Sequence, residues 1–203
     1  MKYFLGLFFA ALVTNSFGQT IINDRNAEVR NIGSFTGIKV SGPISVYLSQ
    51  SSENALAVSA STTETKANIE AEVINGILVI SYKEKLLGKN ENRHLRVYIS
   101  FKTLQSIEAS GACDISIQDS FKVNTLRLNF SGACEMKGNM EVENMEANLS
   151  GASTLKISGK VKNLKLDARG ASDLKNYNLR VENLIANLSG ASDVKISITN
   201  ALS

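Results

Sequence analysis

Residues 142–196 read VENMEANLSGASTLKISGKVKNLKLDARGASDLKNYNLRVENLIANLSGASDVKI, three rounds of one pattern. Gly-Ala pairs fall at Gly151-Ala152, Gly170-Ala171 and Gly190-Ala191, and upstream at Gly111-Ala112 and Gly132-Ala133, at intervals of 21, 19, 19 and 20 residues. After each pair come Cys or Ser, then a small or acidic residue, then an aliphatic one. Before each pair the apolar residues alternate, as in Leu126, Leu128 and Phe130, or Leu164, Leu166 and Ala168. Period two is the signature of a strand with one buried face. A unit of about twenty residues cannot bury that face alone, so the units must stack. The pattern therefore predicts a right-handed parallel β-helix, a solenoid with two short strands and two corners per coil. Gly sits at the corner because a sharp turn there calls for positive φ.

The first half is less regular. Phe35 to Leu48 alternates around Ser41-Gly42-Pro43, which resembles the later Ser-Gly-Ala corners. Ile69 to Ile74 and Ile77 to Tyr82 flank Asn75-Gly76, a strong signal for a type I′ hairpin. Leu86 to Arg93 reads as a charged loop and Leu95 to Phe101 as a strand. We expect a partly antiparallel β-rich region over residues 19–103 that caps repeats spanning 104–203. The two form one structural domain.

Residues 1–18 read as a signal peptide: Lys2, an apolar run from Tyr3 to Val13, and small residues at Ser16 and Gly18 before the expected cleavage. The apolar run is about half the length a membrane helix needs, and no second one follows. Export to the periplasm, cell surface or exterior is the expectation. The formal charge of +3 falls to +2 when Lys2 leaves, and the charges are interspersed. Nucleic acid would call for a basic stripe with aromatic platforms, so it is not an expected partner. Four Phe and four Tyr follow Gly18, with no Trp, which weakens sugar recognition by ring stacking.

Several columns of the stack carry residues capable of chemistry. Cys113 and Cys134 occupy one slot in successive coils and should line the core. Export permits a disulfide, but in-register Cβ atoms sit near ~4.8 Å rather than the ~3.8 Å of a bridge, which favours reduced thiols. Two thiols without a His or acid complete no metal set. Asp114, Glu135, Asp173 and Asp193 run beside Ser116, Lys137, Lys156, Lys175 and Lys195. Such rows can hold calcium or serve glycoside hydrolysis, but they more simply neutralise each other. Asn129, Asn148, Asp167 and Asn187 form a column that should stack its amides. Arg169 interrupts a Ser column next to Asp167 and Asp173. A lyase base of that kind is conceivable, and a surface ion pair is the simpler reading. His94 has no partner motif. No catalytic residue, metal site or cofactor is assigned.

The order Phe35-x-x-Ile-x-Val-x-Gly42, Val73-x-Asn-Gly-x-Leu-x-Ile80, Leu104-x-x-Ile-x-Ala-Ser-Gly-Ala112 and the repeated Ser-Gly-Ala-Ser-Asp resembles the head GIN domain family. Those are bacterial exported proteins, common in Bacteroidetes, described as auto-transporter adhesin heads. The resemblance runs from about Val29 to Ile198. It implies a parallel β-helix behind a β-rich N-terminal part, and no catalytic residues. We therefore expect a non-enzymatic exported binding or structural module, with an unknown protein or glycan partner at the cell envelope. The alternative is a carbohydrate-binding or polysaccharide-degrading protein on the same scaffold. The last coil should leave an open edge, apolar at Ile198, Ala201 and Leu202, through which weak self-association is expected.

Overall fold

The computed structural model describes residues 24–83 and 93–202. The expected signal peptide and residues 86–92 of the expected charged loop lie outside them. The elements run β1 (Glu28–Arg30), β2 (Gly37–Gly42), β3 (Ser45–Gln50), β4 (Ala55–Ser59), α1 (Thr63–Ala67), β5 (Ile69–Ile74), β6 (Ile77–Tyr82), β7 (Arg96–Phe101), β8 (Ser106–Gly111), β9 (Asp114–Phe130), β10 (Glu135–Leu149), β11 (Thr154–Ala168), β12 (Asp173–Leu188) and β13 (Asp193–Leu202).

All thirteen strands join one mixed sheet, which curls into a half-barrel. This corrects the fold expected from the repeats, a right-handed parallel β-helix. Each repeat is not two short strands with two corners. It is one strand of 15 to 17 residues, from β9 through β12. Antiparallel pairs β1/β4, β4/β7 and β5/β6 belong to the same sheet as the parallel ones.

The physical reason lies in the Val-x-Asn motif. Glu143-Asn144 and Lys162-Asn163 are exposed side by side, so the buried parity changes there. A strand that ended there would leave the two short strands per coil expected from the repeats. Instead the strand bends while its ladder continues, with Val142 opposite Val161 and Asn144 opposite Asn163. The bend lets one face of a single sheet wrap around the apolar residues of every repeat. Gly138 and Gly159, both at positive φ, bend the strands again nearer their N-terminal ends.

Where strands meet end to end, the Gly-Ala corners are held by continued parallel bonding. The Ala152 N–H donates to Gly132 O at 2.8 Å, and the Ala171 N–H to Gly151 O at 2.8 Å. Gly42 belongs to the same column, directly opposite Gly111. The first half is thus more parallel than expected: β2 pairs in parallel with β6 and β8, and β3 with β7 and β9. It continues the stack rather than only capping it. The Asn75-Gly76 hairpin forms as read, with φ of 51° and 77° and Ile74 opposite Ile77.

One contiguous core runs from Phe35 to Leu184. Its largest members, such as Phe101, Phe121, Ile38 and Leu48, are fully enclosed. Gln50 ties the first half to the repeats, its Nε2 donating to Lys102 O and Lys122 O while its Oε1 accepts from the Lys122 N–H. The chain beyond Ile196 continues as β13 in parallel register with β12. Among the described residues no helix is long and apolar enough to cross a membrane.

Candidate functional site

A parallel stack repeats each outward residue one strand further on, so the surface consists of columns. Fixed register puts side chains of neighbouring strands within hydrogen-bond reach. What each column can do follows from how its members pair.

On the face of β9–β13 nearest the strand starts, the acid row lies beside the lysine row. Lys156 Nζ reaches Glu135 at 2.7 Å, and Lys175 reaches Asp173 at 2.7 Å and Asp193 at 3.7 Å. Lys195 also lies 3.8 Å from Asp193. The hydrogen bond that Lys175 donates to Asp173 is the first cause that raises its ammonium, against opposing burial. These carboxylates are engaged by lysines rather than converging on a shared point, and among the described residues no group of His, Cys, Asp and Glu could hold a metal ion.

The face near the strand ends carries amides. Asn148 Nδ2 donates to Asn129 Oδ1 at 2.9 Å, as the column predicted. Asp167 leaves that ladder and takes Arg169 in a two-pronged pair, with Nε at 2.8 Å and Nη2 at 3.1 Å. The Arg169 hydrogen bond holds the Asp167 carboxyl below its usual range, and the same bond raises the guanidinium. A guanidinium so held cannot serve as a base. An open groove of about 550 Å³ runs over this face, lined by Lys39, Glu108, Asn129, Asn148, Asp167 and Arg169 among others.

A second amide ladder was missed. Asn163 donates to Asn144 at 2.8 Å and Asn183 to Asn163 at 2.9 Å, along the bend in the strands. Its signal in the sequence is the Asn that recurs at 144, 163 and 183. Beside it Glu146 accepts from Arg127 and Lys165, and these two bonds, that of Lys165 first, hold its carboxyl low.

Cys113 and Cys134 are free and buried. Their place in the fold explains the Ser that follows them in later repeats. The Sγ of Cys113 lies 3.1 Å from Ser110 O and that of Cys134 lies 3.2 Å from Ser131 O. Ser153 and Ser172 make the same bond to Ser150 O and Arg169 O at 3.0 Å. The thiols are corner donors across three residues. The hydrogen bond with Cys134, and then burial, raise the Cys113 thiol, so it stays protonated. Two thiols should therefore titrate per chain in denaturant without reductant. A monomeric chain with none would mean that the pair has closed into a disulfide.

In the first half, Asp24 bonds to Tyr98 Oη at 2.9 Å and Arg96 at 3.3 Å, while Tyr98 stacks on Tyr47 at 5.0 Å. Burial, then the Asp24 bond, push the Tyr98 phenol up to about 12. This cluster fastens the segment before β1 to the sheet. His94 precedes β7 with φ of 43°.

A family model described as "Putative auto-transporter adhesin, head GIN domain" matches residues 34–203. No curated protein matches the chain. Among solved structures, one described as "a putative adhesin" from Bacteroides fragilis NCTC 9343 aligns with a TM-score of 0.70 at 16% identity, covering 87% of this chain and 96% of that one. One from Parabacteroides merdae ATCC 43184, described in the same words, gives 0.60 at 14% identity, with 87% and 90% covered. A "Putative lipid binding protein" from Parabacteroides distasonis ATCC 8503 gives 0.57 at 17%, with 88% and 96% covered. At these identities the likeness is one of fold.

Proposed function

Because the chain belongs to the head GIN domain family of auto-transporter adhesin heads, we propose that it is an exported, non-enzymatic binding module that presents its outward columns to a partner at the cell envelope. The observation that carries this is the pairing within the columns. Acid and lysine rows, amide ladders and the Asp167–Arg169 pair satisfy one another on a rigid sheet. A surface built this way offers regularly spaced hydrogen-bonding groups and engages its charged groups structurally. Such a face suits recognition of an extended partner.

The test is a screen of residues 19–203 against arrays of glycans and of envelope and matrix proteins. Saturable binding, with no release of reducing ends from polysaccharides, is the expected outcome. Cleavage of any polysaccharide by the purified chain would establish the degrading alternative instead. Weak self-association at β13, the outermost strand of the described sheet, belongs to the same proposal, since Ile198 there is 37% exposed. Light scattering should show mass rising with concentration, and Ile198→Lys should abolish the rise. A constant monomer mass contradicts it.

A further inference from the structure

The strand β12 loses register with both of its neighbours at the same place. Its register against β11 slips between Leu174 and Leu179, and against β13 between Lys175 and Arg180. Residues 176–178 carry the excess as a bulge, and Tyr177 at its apex is 70% exposed. A bulge re-aims a side chain, and this one is held in shape. The Asn178 N–H donates to Asn176 Oδ1 at 2.9 Å, and Ser197 Oγ donates to Tyr177 O at 2.8 Å. The other described aromatic rings are engaged: four Phe are buried, Tyr47 and Tyr98 stack together, and Tyr82 lies under Arg93. Tyr177 has no ring or cation partner among the described residues. It is a rigid apolar plate facing solvent.

Two cations stand beside it. Lys160 and Arg180 are directly opposite in the register of β11 and β12, and both are exposed. Like charges in that position repel. Elsewhere on the stack the cations of Lys156, Lys175 and Arg127 have carboxylates, and the nearby Glu141 is taken by Lys122 at 3.3 Å. Among the described residues neither Lys160 nor Arg180 has an ion pair. Tyr177, Lys160 and Arg180 line one open groove of about 590 Å³ together with Ser158, Asn178 and Glu141, the last opposite Lys160 in the register of β10 and β11 but paired with Lys122. Gly159 forms part of its wall.

We propose that this groove binds a carboxylate-bearing sugar of an acidic saccharide. The ring face lies on Tyr177, which supplies apolar contact with a polar edge. The carboxylate sits between Lys160 and Arg180 and relieves their repulsion through charge-assisted hydrogen bonds. Ser158 and the Asn178 amide take hydroxyls. The inference rests on reading the chain as a binding module, and it names that module's ligand class.

Titration of residues 19–203 with tri-galacturonate and with its neutral methyl ester tests it. Wild type should bind the acid at least about tenfold more tightly than the ester, the scale of one charge-assisted hydrogen bond. Tyr177→Ala and Arg180→Gln should each weaken the acid by about tenfold at unchanged melting temperature, both side chains being exposed. Lys137→Gln, outside the lining of this groove, should leave affinity unchanged. Equal binding of acid and ester, or affinity that both groove variants retain, overturns the site. So does the absence of acid binding at millimolar concentration. If the array shows a protein ligand in that last case, the broader reading stands and the saccharide site alone falls.

Discussion

Gly151→Val should lower the melting temperature by about 10 °C. Gly151 has φ of 75°, and a Cβ built on it would lie 2.6 Å from Gly132 O, the carbonyl that accepts the Ala152 N–H of the next corner. Two costs add. Holding a β-branched residue in the left-handed region costs about 1–3 kcal/mol, and forcing atoms into the corner costs a further ~1–3 kcal/mol. A sum near 4 kcal/mol corresponds to about 8–16 °C for a domain of this size. Gly170→Val should behave alike, since φ is 81° and its Cβ would meet Gly151 O at 2.6 Å. Gly33→Ala is the control, with nothing within 4 Å of its added carbon. Thermal unfolding followed by circular dichroism reads all three. Melting of both corner variants within a degree or so of wild type would remove the corner from the account.

Phe121→Ala is the second large effect. Phe121 in β9 is 1% exposed and packs edge to face on Phe101 of β7, with centroids 5.4 Å apart. The contact joins the first half of the chain to the repeats. Truncation should cost about 3–5 kcal/mol, the removed surface plus the cavity left behind. Because the core is contiguous, we propose that residues 19–203 unfold as one domain. The variant should then melt earlier in a single transition. A loss confined to one of two separate transitions would mean that the halves fold independently.

The repeats were legible because stacking makes each strand answer the same demands as the one before. Leu164 faces Leu184, and Gly151 continues the column of Gly132, so period and corner could be read directly. The fold class was not legible. Parity changes at Glu143-Asn144 look alike whether a strand ends or bends, and only the ladder on the neighbouring strand distinguishes the two. The pairing of Gly42 with Gly111 was hinted at by the Ser41-Gly42-Pro43 resemblance, yet a hairpin and three other strands intervene. Of the columns, the salt-bridged rows and the Asn129–Asn148 stack could be read from spacing alone. Tyr177 could not. Its exposure comes from the slip of β12 against both neighbours, and the sequence shows only one extra residue in that repeat.

The central structural claim is that each repeat is a single strand paired in parallel with the one before, continuing through the glycine corners. Scalar couplings across hydrogen bonds measure that pairing residue by residue. The Ala152 amide should couple to the Gly132 carbonyl, and the Ala171 amide to that of Gly151. Within the strands, couplings should link β10 to β11 on both sides of Asn144 and Asn163. If couplings stop at those asparagines, or if Ala152 couples to a carbonyl of its own repeat, the bent continuous strand is contradicted.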